Sequence, residues 1–200
     1  MRTLRAAFVL CDRLTALDLI GLYDPITRLR SMGFRPDFRW EFCALEGSVT
    51  DDRGFVIQAT HVGKKLDEFD LLIVPGGFGT RELVRDSVFL EWFATAARVP
   101  LKASVCTGSL LLGAAGWLRG LPATTHPTAY ADLAGYCEEV RHDRVVDAGD
   151  VITGRGVSAA LDVGLTVVER VAGADAREII ARQMDYPGVL LTSARVSSAS

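Results

Sequence analysis

The 200-residue chain has no long hydrophobic run and no excess of positive charge. A membrane-spanning helix needs about 18 or more consecutive apolar residues, and no stretch of that kind occurs. The 22 basic residues are outnumbered by 25 acidic ones, for a formal net charge of -3. Nucleic-acid-binding surfaces are basic, so the composition argues against nucleic acid and membrane as partners.

Cysteine is also scarce, and Cys11, Cys43, Cys106 and Cys137 form no Cys-x-x-Cys pair. Neither a disulfide framework nor a zinc site is predicted, and free thiols indicate a reducing cytoplasm. Residues 1–11 could begin a secretion signal, but charged residues follow at once and no cleavage site is visible. We therefore predict that this segment is the first strand.

Apolar residues make up 49% of the chain, enough for a sizeable core. Length and composition predict a single domain over 1–192, and a small, polar, flexible tail over 193–200. Strands alternate with helices, which predicts an α/β fold: a doubly wound, mostly parallel sheet with helices on both faces and a small β-hairpin.

Hydrophobic periodicity and turn residues give the predicted boundaries of these elements. Strands are predicted at 4–11, 38–45, 55–59, 70–74, 101–105 and 123–125, with a hairpin joining 144–146 to 151–153. Helices are predicted at 15–30 (interrupted or kinked at Pro25), 81–97, 108–117, 157–171 and 174–184.

A cysteine stands where the predicted strand 101–105 meets the next helix. A helix N-terminus presents unpaired N–H groups and partial positive charge, which lower the pKa of a cysteine and favour its nucleophilic thiolate. Alone, this turn suits either a reactive Cys106 or a small buried cysteine that fills space. Ligands gather at the carboxyl ends of parallel strands, where the turn 75–77 and the loop leading to Asp18 also lie. That convergence favours the reactive interpretation.

Several motifs together resemble the DJ-1/PfpI superfamily, in the right order over nearly the whole chain. They are Val74-Pro75-Gly76-Gly77, the Ala-x-x-Cys-Thr-Gly turn at 103–108, Ala123-Thr124-Thr125-His126-Pro127 and Ile152-Thr153-Gly154. The resemblance implies a flavodoxin-like fold with a nucleophile elbow at the cysteine. Segments 17–21 and 104–109 look most like the isonitrile (isocyanide) hydratase branch. Sensor domains of AraC-family regulators share these motifs but carry a further helix-turn-helix region, for which this chain is expected to be too short.

Three positions depart from the family patterns. Gly21 is followed by leucine, where the hydratase branch usually has proline. His126 is followed by Pro127, as in the DJ-1 branch, where hydratases usually have tryptophan. Thr107 replaces the histidine that follows the cysteine in PfpI-type proteases, so their usual dyad is not available. These departures leave the substrate open.

Asp18 is the second candidate catalytic residue. It lies in an apolar helical segment, where a carboxylate is costly unless it is paired or protonated. From the residues alone, it either stabilises a helix N-terminus or belongs to the site. The resemblance implies that Asp18 hydrogen-bonds the sulfur of Cys106. A partly protonated carboxyl there would donate to the thiolate and later deliver its proton to substrate.

Thr107 is a third candidate catalytic residue, and Gly76, Gly77 and His126 are candidates for binding substrate. Gly76 and Gly77 have no side chains, so their N–H groups are expected to form an oxyanion-type pocket, although a simple tight turn would also explain them. Thr107 would add its backbone N–H and a hydroxyl. His126 is either a substrate contact or a packed loop residue.

Other polar residues receive structural interpretations. His61 and His142 are predicted at the surface, Asp162 is expected to cap or buttress its helix, and Asp24 to contact a partner subunit. The resemblance implies a homodimer. The apolar face of 15–30 formed by Tyr23, Ile26 and Leu29 agrees with a dimer, or else packs on the chain's own sheet.

The leading functional hypothesis is a cysteine-dependent hydratase that converts isonitriles to N-substituted formamides through a thioimidate on Cys106, without a metal or an organic cofactor. Asp18 would act as proton donor and base. Glyoxalase-like or deglycase-like chemistry on small dicarbonyls is an alternative enzymatic hypothesis. A non-catalytic redox sensor, in which Cys106 is oxidised to a sulfinic acid, is the alternative from another class.

Overall fold

The computed structural model describes residues 3–187, so the predicted tail at 193–200 lies outside the described residues. The strands are β1 (Arg5–Val9), β2 (Arg39–Ala44), β3 (Ser48–Thr50), β4 (Val56–Gln58), β5 (His61–Val62), β6 (Leu71–Val74), β7 (Leu101–Val105), β8 (Pro122–Ala123), β9 (Glu139–Val140), β10 (Val145–Asp147) and β11 (Val151–Gly154). The helices are α1 (Ala16–Ser31), α2 (Thr80–Leu83), α3 (Ser87–Ala94), α4 (Gly108–Ala114), α5 (Tyr130–Leu133), α6 (Ala159–Ala172) and α7 (Ala174–Gln183), with a 3-10 turn at Pro127–Ala129.

A seven-stranded sheet in the order β10-β11-β7-β6-β1-β2-β5 forms the centre of the molecule. Every neighbouring pair is parallel except the hairpin β10–β11. The predicted doubly wound, mostly parallel sheet with a small hairpin is therefore confirmed. Because β1, β6 and β7 are adjacent and parallel, the segments that follow them meet at one edge of the sheet.

Alternate side chains of the central strands feed two separate cores. In β1, Ala6 and Phe8 face α1, α6 and α7, whereas Ala7 and Val9 face α3, α4 and α5. Nearly continuous apolar runs in the sequence follow from this arrangement, since both faces of the strands are covered.

The contact between α1 and α6 depends on glycine. A Cβ atom added at Gly21 would lie 2.6 Å from Cβ of Ala160, and one added at Gly164 would clash with the ring of Pro25. The two helices therefore approach closely at these points. Pro25 is buried inside α1, which continues through it, so the predicted interruption is absent.

One predicted helix is divided in two in the structure, and one predicted strand lies in a separate small sheet. Residues 81–97 form α2 and α3 rather than one helix, because the side chain of Asp86 accepts hydrogen bonds from the N–H groups of Val88 (2.9 Å) and Phe89 (3.1 Å) and so begins a new helix. The predicted strand 55–59 pairs with β3 in a separate antiparallel hairpin, outside the main sheet.

The helical face expected to support a dimer packs within the chain. Ile26 and Leu29 are fully buried, and Tyr23 packs its ring against Phe8 and Phe42. That basis for a dimer was wrong, because α1 turns this face toward its own sheet. None of the helices in residues 3–187 combines the length and the apolar character that a membrane crossing requires.

Candidate active site

Cys106 directly follows β7 and has a left-handed backbone conformation, with φ of 56°. This conformation is uncommon outside glycine and stores strain that surrounding bonds must offset. Three hydrogen bonds hold it. The N–H of Cys106 donates to the carbonyl of Gly154 at 3.0 Å, and its carbonyl accepts from the hydroxyls of Thr125 at 2.9 Å and Ser109 at 3.2 Å. The strand–helix turn therefore fixes the nucleophile.

A cavity of about 200 Å³ lies over the cysteine, at the carboxyl edge of the sheet. Cys106 is 6% exposed, so its side chain has a narrow opening to this space. The cavity is lined by residues that include Thr15, Gly77, Phe78, Arg81, Thr107 and His126. The structure thus brings three predicted site residues, Gly77, Thr107 and His126, beside the predicted nucleophile.

Asp18 lies in the first turn of α1 and is fully buried. Its Oδ2 accepts a hydrogen bond from the N–H of Gly76 at 3.2 Å, while Oδ1 has no nitrogen or oxygen donor in reach among residues 3–187. Burial raises the pKa of Asp18 to about 7, and hydrogen bonds with the thiol of Cys106 and with Gly76 oppose that rise. At neutral pH this carboxyl can therefore both hold and release a proton.

The thiol of Cys106 does not have the low pKa expected from its place at a helix N-terminus. Burial raises its pKa to about 12, and the negative charge of Asp18 adds to the rise. The N–H of Thr107 acts in the opposite direction but is outweighed. The resting cysteine therefore keeps its proton, and the adjacent carboxylate is the group able to accept that proton during attack.

The two loop glycines do not offer free donors. The N–H of Gly76 is used by Asp18, and that of Gly77 donates to the hydroxyl of Thr107 at 3.0 Å. The same hydroxyl donates to the carbonyl of Gly77 at 2.9 Å and contacts the hydroxyl of Thr80 at 2.8 Å. These groups hold the loop against the cysteine turn instead of forming the expected oxyanion pocket.

Glycine is needed in this loop for a different reason: the backbone of the cysteine turn lies very close to it. A Cβ atom added at Gly76 would lie 2.6 Å from the nitrogen of Thr107 and 2.8 Å from Cβ of Cys106. Gly76 therefore allows its own N–H to reach Asp18 while the cysteine turn packs directly on the loop.

His126 precedes the 3-10 turn and lines the cavity. Its Nδ1 accepts from the N–H of Thr128 at 3.3 Å and lies 2.8 Å from the hydroxyl of the same residue. The neutral ring accordingly carries its proton on Nε2. Burial lowers the pKa of His126, and the charges of Arg81 and Arg155 lower it further. This histidine is a neutral hydrogen-bonding group at physiological pH.

The structure also shows where His61, His142, Asp162 and Asp24 lie. His61 was predicted at the surface but is 5% exposed; its Nε2 lies 3.0 Å from the carbonyl of Lys65. His142 is exposed as predicted. Asp162 buttresses its helix through an ion pair with Arg144 at 2.7 Å. Asp24 pairs with Arg28, one turn along α1, at 2.9 Å.

Sequence reasoning missed Phe78 and Arg81, which follow β6 and line the cavity. Their place four residues or fewer after Gly77 at a strand end was the available signal. It also missed Asp52 and Arg53, which reach the cavity from the loop of the β3–β4 hairpin. No local pattern marks those two residues, since only the fold brings their loop to the site.

Residues 4–170 match the family model described as the DJ-1/PfpI family. The chain belongs to the DJ-1/PfpI family. Within residues 3–187, no three or more His, Cys, Asp or Glu side chains are arranged to hold a metal ion.

Three similar proteins extend over much of this chain. The isonitrile hydratase of Pseudomonas putida is 35% identical over 189 residues, which cover 92% of this chain and 78% of the hydratase. The Parkinson disease protein 7 homolog of Danio rerio is 33% identical over 129 residues, covering 63% of this chain and 66% of that protein. A solved structure of a ThiJ/PfpI family protein from Pseudomonas syringae has a TM-score of 0.84 and 32% identity, covering 94% of this chain and 76% of that one.

Proposed function

We propose that this protein is a cysteine-dependent hydratase that converts isonitriles to N-substituted formamides. The observation that carries the proposal is the buried pair formed by Asp18, with a pKa of about 7, and the protonated thiol of Cys106 beneath a small cavity. The similarity to an isonitrile hydratase over 92% of the chain supports the same reaction.

An isonitrile suits this pair because its terminal carbon first accepts a nucleophile and then holds the electron pair that takes up a proton. As the sulfur of Cys106 bonds to that carbon, the thiol proton moves to the carboxylate of Asp18. Asp18 then gives the proton to the same carbon. The product is a thioimidate in which the carbon carries the sulfur, one hydrogen and the doubly bonded nitrogen.

Water completes the reaction through the same carboxylate. The oxygen of water adds to the thioimidate carbon while Asp18 takes one of the water protons. Asp18 then passes that proton to the nitrogen. The carbon–sulfur bond then breaks. The sulfur leaves with the bonding electron pair, and the remaining hydroxyl proton returns through Asp18 to the sulfur. One isonitrile and one water give one N-substituted formamide, and both protein groups regain their starting states.

The test compares an aliphatic isonitrile with methylglyoxal, with products identified by mass spectrometry. Wild type and Cys137→Ser, which removes a half-buried cysteine outside the cavity, should form the formamide. Cys106→Ser should abolish formation, and Asp18→Asn should reduce it by roughly a hundredfold or more, as loss of a general acid–base does. Consumption of methylglyoxal alone would favour the glyoxalase hypothesis. Inactivity toward both, with peroxide oxidation confined to Cys106, would favour the sensor.

We also propose that the active form is a homodimer, as the family resemblance implies. Leu17 and Ile20 are 50% and 44% exposed on the outward face of α1, next to Asp18 in sequence. Their spacing of three places them on one side of the helix. A second subunit covering this side would bury apolar surface beside the site.

A further inference from the structure

The charges around the cavity are not balanced. Asp52 and Arg53 face each other at 3.9 Å and offset one another. Arg81 and Arg155 have no carboxylate within ion-pair distance in the stretch 3–187. Each makes one long hydrogen bond of 3.4 Å, Arg81 to the hydroxyl of Thr128 and Arg155 to the carbonyl of His142. Both guanidinium groups therefore keep most of their donors free.

Each of these two cations shares a space with His126. Arg81 lines the cavity together with Cys106. Arg155 lines a neighbouring recess of about 300 Å³, to which His126 also contributes. The recess contains a second arginine, Arg144, but its guanidinium is bound to Asp162 at 2.7 Å. Each space therefore contributes one arginine without an anionic partner.

Arg144, unlike these two arginines, is neutralised by Asp162. Arg81 and Arg155 are half-buried, so water only partly compensates their charge. Both positive charges lower the pKa of His126, so their fields reach its imidazole. A neutral His126 adds a hydrogen-bond donor without adding charge. An anion bound by both arginines, with Nε2 of His126 as a further donor, would satisfy all three groups.

We propose that the substrate carries a carboxylate, which Arg81 and Arg155 bind while the reactive carbon reaches Cys106. Guanidinium presents paired N–H groups that match the two oxygens of a carboxylate. A cavity of about 200 Å³ suits a small molecule. The inference rests on the proposed function for the reacting group and assigns the substrate class: isonitriles built on carboxylic acids.

The first experiment compares isocyanoacetate with its uncharged methyl ester. Wild type should have a kcat/KM for the anion roughly tenfold or more above that for the ester, as expected for a charge-assisted bidentate contact. Arg81→Gln and Arg155→Gln should each lose roughly tenfold more kcat/KM for the anion than for the ester. Arg85→Gln, which removes an exposed arginine outside both spaces, should match wild type. Equal losses for both substrates, or a wild-type preference for the ester, would overturn the carboxylate site.

A second measurement does not depend on hydratase activity. Iodoacetate and iodoacetamide alkylate the same thiols and differ in charge. Mass spectrometry measures the rate of each reagent at each cysteine. The ratio of the iodoacetate rate to the iodoacetamide rate should be higher at Cys106 than at Cys137. Arg81→Gln should remove this difference between the two cysteines. Anion preference without isonitrile turnover would support the carboxylate site and refute the hydratase. An unchanged ratio in Arg81→Gln would refute the carboxylate site.

Discussion

At the residue scale, the chemistry depends on how one proton is shared between a buried carboxyl and a buried thiol. Asp18 has a pKa raised to about 7 and Cys106 one raised to about 12, both mainly by burial. The reactive state at neutral pH is therefore an ionised Asp18 beside a protonated thiol. This differs from the thiolate that a helix N-terminus alone would favour.

The reaction should consequently depend on the ionisation of Asp18. In the wild type, log kcat/KM should rise with a slope near one as pH increases toward about 7 and should level off above it, because only the ionised carboxyl can accept the thiol proton. Stopped or continuous assays of formamide formation between pH 5 and 9 measure this profile. An inflection that persists unchanged in the residual activity of Asp18→Asn would assign the titration to another group.

The same burial should cost stability. Folding raises the pKa of Asp18 from 3.8 to about 7. The contribution of Asp18 to the free energy of unfolding is therefore most favourable below pH 3.8, where the carboxyl is protonated, and is lost as the pH rises through about 7. A rise of about three units corresponds to roughly 4 kcal/mol. Asp18→Asn has no charge to bury. The difference between its free energy of unfolding and that of the wild type should therefore be more favourable to the variant at pH 7.5 than at pH 4.5.

Urea denaturation at the two pH values measures this gain as a change in the free energy of unfolding. Asp67→Asn, which alters an exposed carboxyl, provides the control and should shift the two free energies by similar amounts. If the unfolding free energy of Asp18→Asn differs from that of the wild type by the same amount at both pH values, burial does not raise the pKa of Asp18.

At the element scale, the contact between α1 and α6 fixes the position of Asp18. Gly21→Ala should destabilise the protein by about 1–3 kcal/mol, because the new methyl group would overlap Ala160 and force the helices apart. Activity should fall with stability, since Asp18 lies one turn earlier in α1. Gly47→Ala, at a position with nothing within 4 Å, serves as the control and should have little effect.

The compensating change distinguishes crowding from a general loss of helix flexibility. Ala160→Gly removes the opposing methyl group and alone should cost about 1 kcal/mol of helix propensity. Combined with Gly21→Ala, it should recover part of the lost unfolding free energy and of the activity. Strictly additive losses in the double variant would show that the two positions are not in contact.

The sequence predicted the central elements well because burial on both faces leaves a clear signal. The apolar runs of β1, β6 and β7 end at polar or glycine-rich turns, and these strands appear within a few residues of their predicted bounds. The division between α2 and α3 was missed because one capping residue, Asp86, outweighed a continuous apolar pattern.

The candidate site was predictable where chemistry is local to a motif and unpredictable where tertiary geometry decides. Cys106 was predicted from its place at a strand end, and Asp18 from its apolar helical segment together with the family resemblance. Arg81 was missed because it occupies the start of a helix that reads as an ordinary surface segment. The N–H groups of Gly76 and Gly77 are already hydrogen-bonded within the protein. The sequence could not predict this, since both partners lie 30 or more residues away.

At the scale of the whole molecule, we expect two copies to cover the outward face of α1. Dilution below the dissociation constant should lower specific activity, because the second subunit would help exclude water from the site. Sedimentation of the purified protein measures the mass, and Leu17→Lys, Ile20→Lys should shift it toward the 21.6 kDa of one chain. Val88→Lys, at an exposed apolar residue on α3, is the control. Full activity at a mass of 21.6 kDa would exclude a dimer as the active form.

The reacting pair and the rim of the cavity come from parts of the chain under different constraints. Asp18 and Cys106 are buried against central strands, whereas Arg53 and Phe78 stand on exposed loops. Loops tolerate insertion and exchange far better than packed strands do. New substrate preferences could therefore arise by drift or engineering at the rim, with the reacting pair left intact. The hairpin tip at 51–55 is the natural place to begin a combinatorial library.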